Sequence, residues 1–147
     1  MQLTDEQFTQ DVGYSFGSVR HQVVHIMSAT QRWIDRFNFG EARAHLNFED
    51  YPTRALAKAK WDEMKVDALA YIYALDQAQL DRVVEWELPT RKIKSAQHLW
   101  EMLLHIANHA ADHRTQILAT LHFKFRIQTP EQDMLFYLVE TAEKQKR

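Results

Sequence analysis

The chain has 147 residues, 46% of them apolar and 12% aromatic, which suits one globular domain spanning residues 1–147 and excludes a disordered chain. A formal charge of −2 gives no electrostatic case for nucleic-acid binding, and the absence of cysteine excludes disulfides, zinc–thiolate sites and a cysteine nucleophile. No apolar run approaches the roughly 18 residues of a membrane span, and the acidic, polar N-terminus is no secretory signal, so a cytoplasmic protein is expected.

Three glycines and three prolines leave few turns for a β fold and favour long helices. Thr4-Asp-Glu-Gln7 has the form of a capping box opening a short helical turn, and Gly13 and Gly17 bracket a break. A long helix is predicted from about Ser18 to Asn38, ended by Gly40, with Val19, Val23, Ile26, Trp33, Ile34 and Phe37 at three- and four-residue steps. A polar loop over 41–52 leads to a second long helix from about Thr53 to Ala74, with Leu56, Trp61, Met64, Ala68, Leu69 and Ile72 available for burial. Asp76–Leu80 reads as one helical turn, and Val83–Ile93 alternates like a small strand pair or extended connection. A third long helix is predicted over about Ser95–Phe123. Thr129-Pro-Glu-Gln132 then reads as the start of a short terminal helix. The tail from Lys144 to Arg147 reads as a solvated end. The expected architecture is all-α.

Histidine spacing is the most informative chemical feature. Eight histidines placed at random would give roughly half of one i,i+4 pair, a spacing that puts two side chains on one helical face. This chain has three: His21/His25, His105/His109 and His109/His113. Projected at ~100° per residue, the apolar stripe of the third helix runs through Leu99, Leu103, Ile106, Ala110, Ile117 and Leu121. His113 lies about 50° from its centre, His109 about 90° and His105 about 130°. His109 and His113 are thus the better pair for a metal ion, since His105 and His113 are roughly 12 Å apart along the axis. Catalytic zinc usually takes three protein ligands and a water. The same projection puts His25 about 130° from the apolar stripe of its own helix, and His21 further round. Periodicity alone therefore leaves the third ligand undecided.

Ser15-Phe-Gly-Ser18, His25, Arg32-Trp33, the motif Asn108-His109-x3-His113-Arg114-x-Gln116 and a terminal Asp133-x3-Tyr137-Leu138 together resemble the DinB/YfiT-like family. The likeness extends over Glu49–Thr53, Trp61 and Leu80–Arg82, and so over nearly the whole chain. It implies a four-helix bundle with a divalent metal, zinc or nickel most often, held by His25, His109 and His113. His21 and His105 would then be exposed or supporting residues, and Arg114 and Gln116 would orient the ligands or bind an anion. Thr115 stands where relatives often carry glycine, a harmless change on a helix.

Relatives carry a further long helix ahead of the Leu3–Phe8 segment. The resemblance therefore leads us to expect a bundle lacking that first helix, with the face it would cover either packed on a second copy or left as an apolar patch. Val24, Met27 and Ile34, which widen the apolar surface of the His25 helix, point the same way, toward a homodimer. Characterised relatives include enzymes that use low-molecular-weight thiols, among them bacillithiol S-transferases and a mycothiol-dependent maleylpyruvate isomerase. The leading expectation is a metal-dependent thiol S-transferase acting on an electrophilic small molecule in detoxification or stress response. A metal-dependent hydrolase and a non-catalytic dimeric metal-binding stress protein are the alternatives.

Overall fold

The computed structural model describes residues 3–145. The family-based expectation about what precedes Leu3, and the last two residues of the basic tail, lie outside them. Three long helices dominate. Helix α1 (Asp5–Thr9) is short and opens with the expected Thr4/Gln7 capping box. Helix α2 (Val19–Phe39) is capped by the Ser18 side chain, which accepts from the His21 N–H, and ends at Gly40 with φ 81°, a left-handed conformation that suits a residue without Cβ. Helix α3 (Arg54–Tyr73) starts under a Thr53 cap, and α4 (Gln77–Asp81) is the single turn expected, closed by an Asp76/Gln79 capping box.

Strands β1 (Val83–Leu88) and β2 (Ile93–His98) pair antiparallel, with Val83 opposite His98 and Leu88 opposite Ile93. The ribbon reaches five residues beyond the segment that alternates in the sequence. It consequently takes the first turn predicted for the third long helix, and α5 runs over Leu99–Ala119, followed by a π-helical turn at Thr120–Lys124. The α5 start is set where the His98 N–H donates to the Glu101 carboxylate. The terminal helix α6 (Met134–Gln145) also begins later than Thr129-Pro130 suggested. Its first turn is capped by Asp133, whose carboxylate accepts from the Leu135 N–H at 2.8 Å.

Helix α2 is the centre of the molecule, packed on α5 along one side and on α3 along another. Trp33, Ile34 and Phe37 meet Val84 of the ribbon and Leu99 and Met102 of α5. Val24 and Met27 meet Met64 of α3 under Leu46, Phe48, Tyr51 and Trp61. At the other end Phe8, Val19 and Ala57 close the core. Polar anchors hold the 41–52 segment over α2: Arg20 forks onto Glu49 at 2.7 and 3.0 Å, and Arg43 forks onto the buried Asp35 at 2.6 and 2.7 Å.

This arrangement corrects two expectations. Val24 and Met27 are buried by the chain's own α3 and 46–51 segment, and Ile34 in the cluster with the ribbon and α5, so the breadth of apolar surface on α2 does not call for a partner. Helix α3, by contrast, buries less than its sequence allows. Ala57 and Met64 are buried, whereas Leu56, Leu69 and Ile72 stay exposed because α3 has α2 on one flank only. A cleft of about 450 Å³, lined by Val23, Ile26, Ala57, Trp61, Ala110 and Ile117, lies over α2 between α3 and α5. The structure is thus mostly helical with one two-stranded ribbon, its three long helices being α2 at the centre with α3 and α5 packed on it.

Candidate metal centre

Helices α2 and α5 bring His25, His109 and His113 together on their shared side. One ring nitrogen from each lies within 4.8 Å of the other two, and the Nε2 atoms of His25 and His109 face each other at 3.1 Å. The rings stand at 4.5–5.0 Å centroid separations, tilted by 50–67° from one another, so their edges rather than their faces converge. Three ring nitrogens this close could hold one metal ion, with ligand bonds that run about 2.0–2.1 Å for zinc.

The surrounding side chains set the orientation of these rings. The His113 Nδ1–H donates to the Gln22 amide oxygen at 2.6 Å, which leaves Nε2 of His113 as the lone pair turned to the cluster. Gln22 in turn donates from its amide nitrogen to Gln116 at 2.9 Å, and the Ser15 hydroxyl donates to the same Gln116 oxygen. The Phe16 ring stacks on His25 with centroids 4.3 Å apart and an interplanar angle of 24°. It also tilts over His113 at 5.3 Å. Phe16 is held there by His21, whose Nδ1–H donates to the Phe16 carbonyl at 2.7 Å. The glycine-flanked break between α1 and α2 is therefore a cover on the histidine cluster, with Ser15 in a left-handed conformation (φ 54°) at its tip.

Electrostatics favour neutral rings. Burial, then the neighbouring His113, His109 and His45, push His25 down from its ordinary 6.5 to about 4. Burial and then His113 and His105 lower His109, against a small opposing pull from Asp112, and burial lowers His113. Metal binding requires unprotonated imidazoles, and burial favours that form at all three positions.

The structure sorts the remaining sequence candidates. Gln116 belongs to the relay that orients His113. Arg114 lines the apolar cleft between α3 and α5 and takes no part in the cluster. His105 is exposed, with its ring edge-to-face on Trp33 at 5.6 Å and its centroid 5.9 Å from His109. Thr115 bonds back to the Ala111 carbonyl at 2.9 Å within α5. Gln22 is the residue that sequence reasoning missed. Its burial calls for a hydrogen-bond partner, but that burial is visible only in the folded structure, and the sequence carried no signal for it.

No helix is long and apolar enough to cross a membrane among the described residues. Comparison with curated proteins finds no significant match. A family model, that of the DinB family, matches residues 1–123, and the match includes α2, α5 and all three clustered histidines. The chain belongs to the DinB family.

Proposed function

We propose that the protein is a metal-dependent enzyme that joins a low-molecular-weight thiol to an electrophilic small molecule, with a zinc or nickel ion held by His25, His109 and His113. The observation that carries this reading is the convergence of three neutral imidazoles with no carboxylate among them. Three neutral ligands leave the full positive charge of a divalent ion to a bound anion, and such an ion favours the thiolate form of a thiol at neutral pH. In the addition that follows, the sulfur forms a bond to an electrophilic carbon and the thiol proton passes to solvent or to the acceptor.

The chain's own contribution is orientation and exclusion of water. Gln22, fixed by Gln116 and Ser15, holds the His113 ring with its Nε2 inward. Phe16 shields His25 from bulk water on one side. The lack of cysteine in the chain agrees with a nucleophile delivered by the cosubstrate. Hydrolysis is less favoured, because the nearest carboxylate in sequence, Asp112, is exposed and is not one of the clustered groups. We also read the working form as a homodimer that covers apolar residues left exposed on α3 and α6.

The test is a conjugation assay of zinc- and nickel-loaded protein across several low-molecular-weight thiols and electrophiles. Product formation that disappears in His109→Ala supports the reading. Stoichiometric metal with no conjugation by any thiol would favour the non-catalytic metal-binding alternative.

A further inference from the structure

A second group of polar side chains lies on the same stripe of α2 as His25. At ~100° per residue, His25, Arg32 and Arg36 fall within about 40° of one another around the helix axis. Arg32 is seven residues on from His25, about 10.5 Å along the axis at 1.5 Å per residue, and Arg36 is one turn further.

Both arginines lack an acidic partner. Among the described residues the ion pairs of the chain are made by Arg20, Arg43, Arg54, Lys58, Lys60 and Lys94, and neither Arg32 nor Arg36 has a carboxylate within 4.0 Å. Arg32 spends one nitrogen on the Arg43 carbonyl. Arg36 lies over the Trp33 ring at 4.9 Å and lines an open cleft of about 660 Å³ against the β1–β2 ribbon. The nearest acid on that wall, Glu87, is already paired with Lys94 at 2.8 Å. Two like charges one turn apart repel. Burial and then Arg32 hold Arg36 below its ordinary pKa, with Glu87 acting weakly the other way. His45 lies beside the same stripe of α2. Its Nδ1 meets the Ser28 hydroxyl at 3.2 Å, one turn from His25, and burial followed by Arg32 and Arg36 lowers its pKa.

The geometry points to Arg32 and Arg36 as a binding site for a carboxylate, so that the small molecule brought to the histidine cluster is an acid whose carboxylate lies along α2 from its reacting end. Guanidinium groups bind carboxylates through paired N–H donors, and two half-buried ones without a partner are the feature such a ligand satisfies. On the cleft wall Glu87 is already paired with Lys94, which leaves Arg36 opposite Glu85. The assignment of the acid as a substrate rests on the thiol-transfer reading. The anion site itself does not.

Isothermal titration of zinc-loaded protein with glutarate, and separately with inorganic phosphate, tests both statements. Glutarate is expected to bind, with affinity falling at higher ionic strength and at least about tenfold weaker in Arg32→Gln/Arg36→Gln, since each lost charge-assisted hydrogen bond is worth that much. Lysine at both positions should restore part of the affinity, with far-UV circular dichroism unchanged in all variants. Binding that persists in His109→Ala would place the anion on the arginines and not on the metal. The site is overturned if the double glutamine variant binds glutarate as tightly as the parent chain, or if the parent binds none. Phosphate binding in the absence of glutarate binding overturns the carboxylate assignment. Glutarate binding together with failure of every thiol in the conjugation assay would remove the S-transferase reading and leave the anion site standing.

Discussion

Gln22 does two jobs at once: its oxygen accepts a hydrogen bond from the His113 Nδ1–H and its nitrogen donates to Gln116. Partners that orient a metal ligand typically change affinity about 10–100-fold when removed. Gln22→Ala should therefore weaken zinc binding within that range in a competition with a chromogenic chelator. His109→Ala, which deletes a ligand, should weaken it by more than about 100-fold. Equal affinities for the parent chain and His109→Ala would discard the three-histidine site. The lowered histidine pKa values carry a pH signature as well. Burial lowers all three from the ordinary 6.5, His25 to about 4, which favours the neutral rings in the folded chain. Zinc affinity is thus expected to be nearly flat above pH 6.5 and to fall as pH drops from 6.5 toward 4. The metal-free chain should lose stability over the same interval, because the unfolded state takes up protons there that the folded state refuses. A steep rise in zinc affinity between pH 7 and 8 would contradict the assignment.

At the scale of elements, the long helices are held by their caps and the connections by ion pairs aimed at α2. The Asp35–Arg43 fork is the clearest case, with the aspartate side chain 6% exposed and the arginine 48% exposed. Arg43→Ala strands a buried carboxylate, which typically costs about 3 kcal/mol. Asp35→Ala should cost less, because the freed arginine returns to water. Urea unfolding of the two variants checks the order, and a larger loss in Asp35→Ala would show that packing rather than charge dominates there. The hydrogen bonds from Arg43 hold the Asp35 pKa below its ordinary 3.8, so the folded state gains from this pair above that pH and loses it as acid protonates the carboxylate.

For the whole molecule, the question is what covers the apolar surface that α2 does not need. On α6 the six consecutive residues Met134–Val139 are each 49–70% exposed, and on α3 Val66 and Tyr73 are 67% and 81% exposed. Contiguous apolar surface beyond a few hundred Å² is uncommon on soluble monomers. Light scattering at micromolar concentration should accordingly give about twice the 17.4 kDa chain mass. Charged substitutions in α6, such as Leu135→Lys with Leu138→Lys, should return the mass to that of one chain while zinc binding is retained. A parent chain that stays monomeric at those concentrations overturns the homodimer.

Local pattern was enough for much that depends on neighbours in sequence, although it placed the starts of α5 and α6 four or five residues too early. The caps at Thr4, Ser18, Thr53 and Asp76, the end of α2 at Gly40 and the pairing of His109 with His113 are all set within one or two turns of chain, where 3.6-residue geometry determines which side chains meet. His25 was reachable only through family resemblance, because an apolar stripe gives a helix's direction to a single neighbour. Helix α2 has neighbours on several sides, so its chemical face need not follow its apolar one. The roles of Gln22, Ser15 and Phe16, and the burial of Met27 and Val24 by α3 and the 46–51 segment, were decided by tertiary structure. Those contacts join positions up to 101 residues apart, and only the packing of α2 against α5 and α3 brings them within reach.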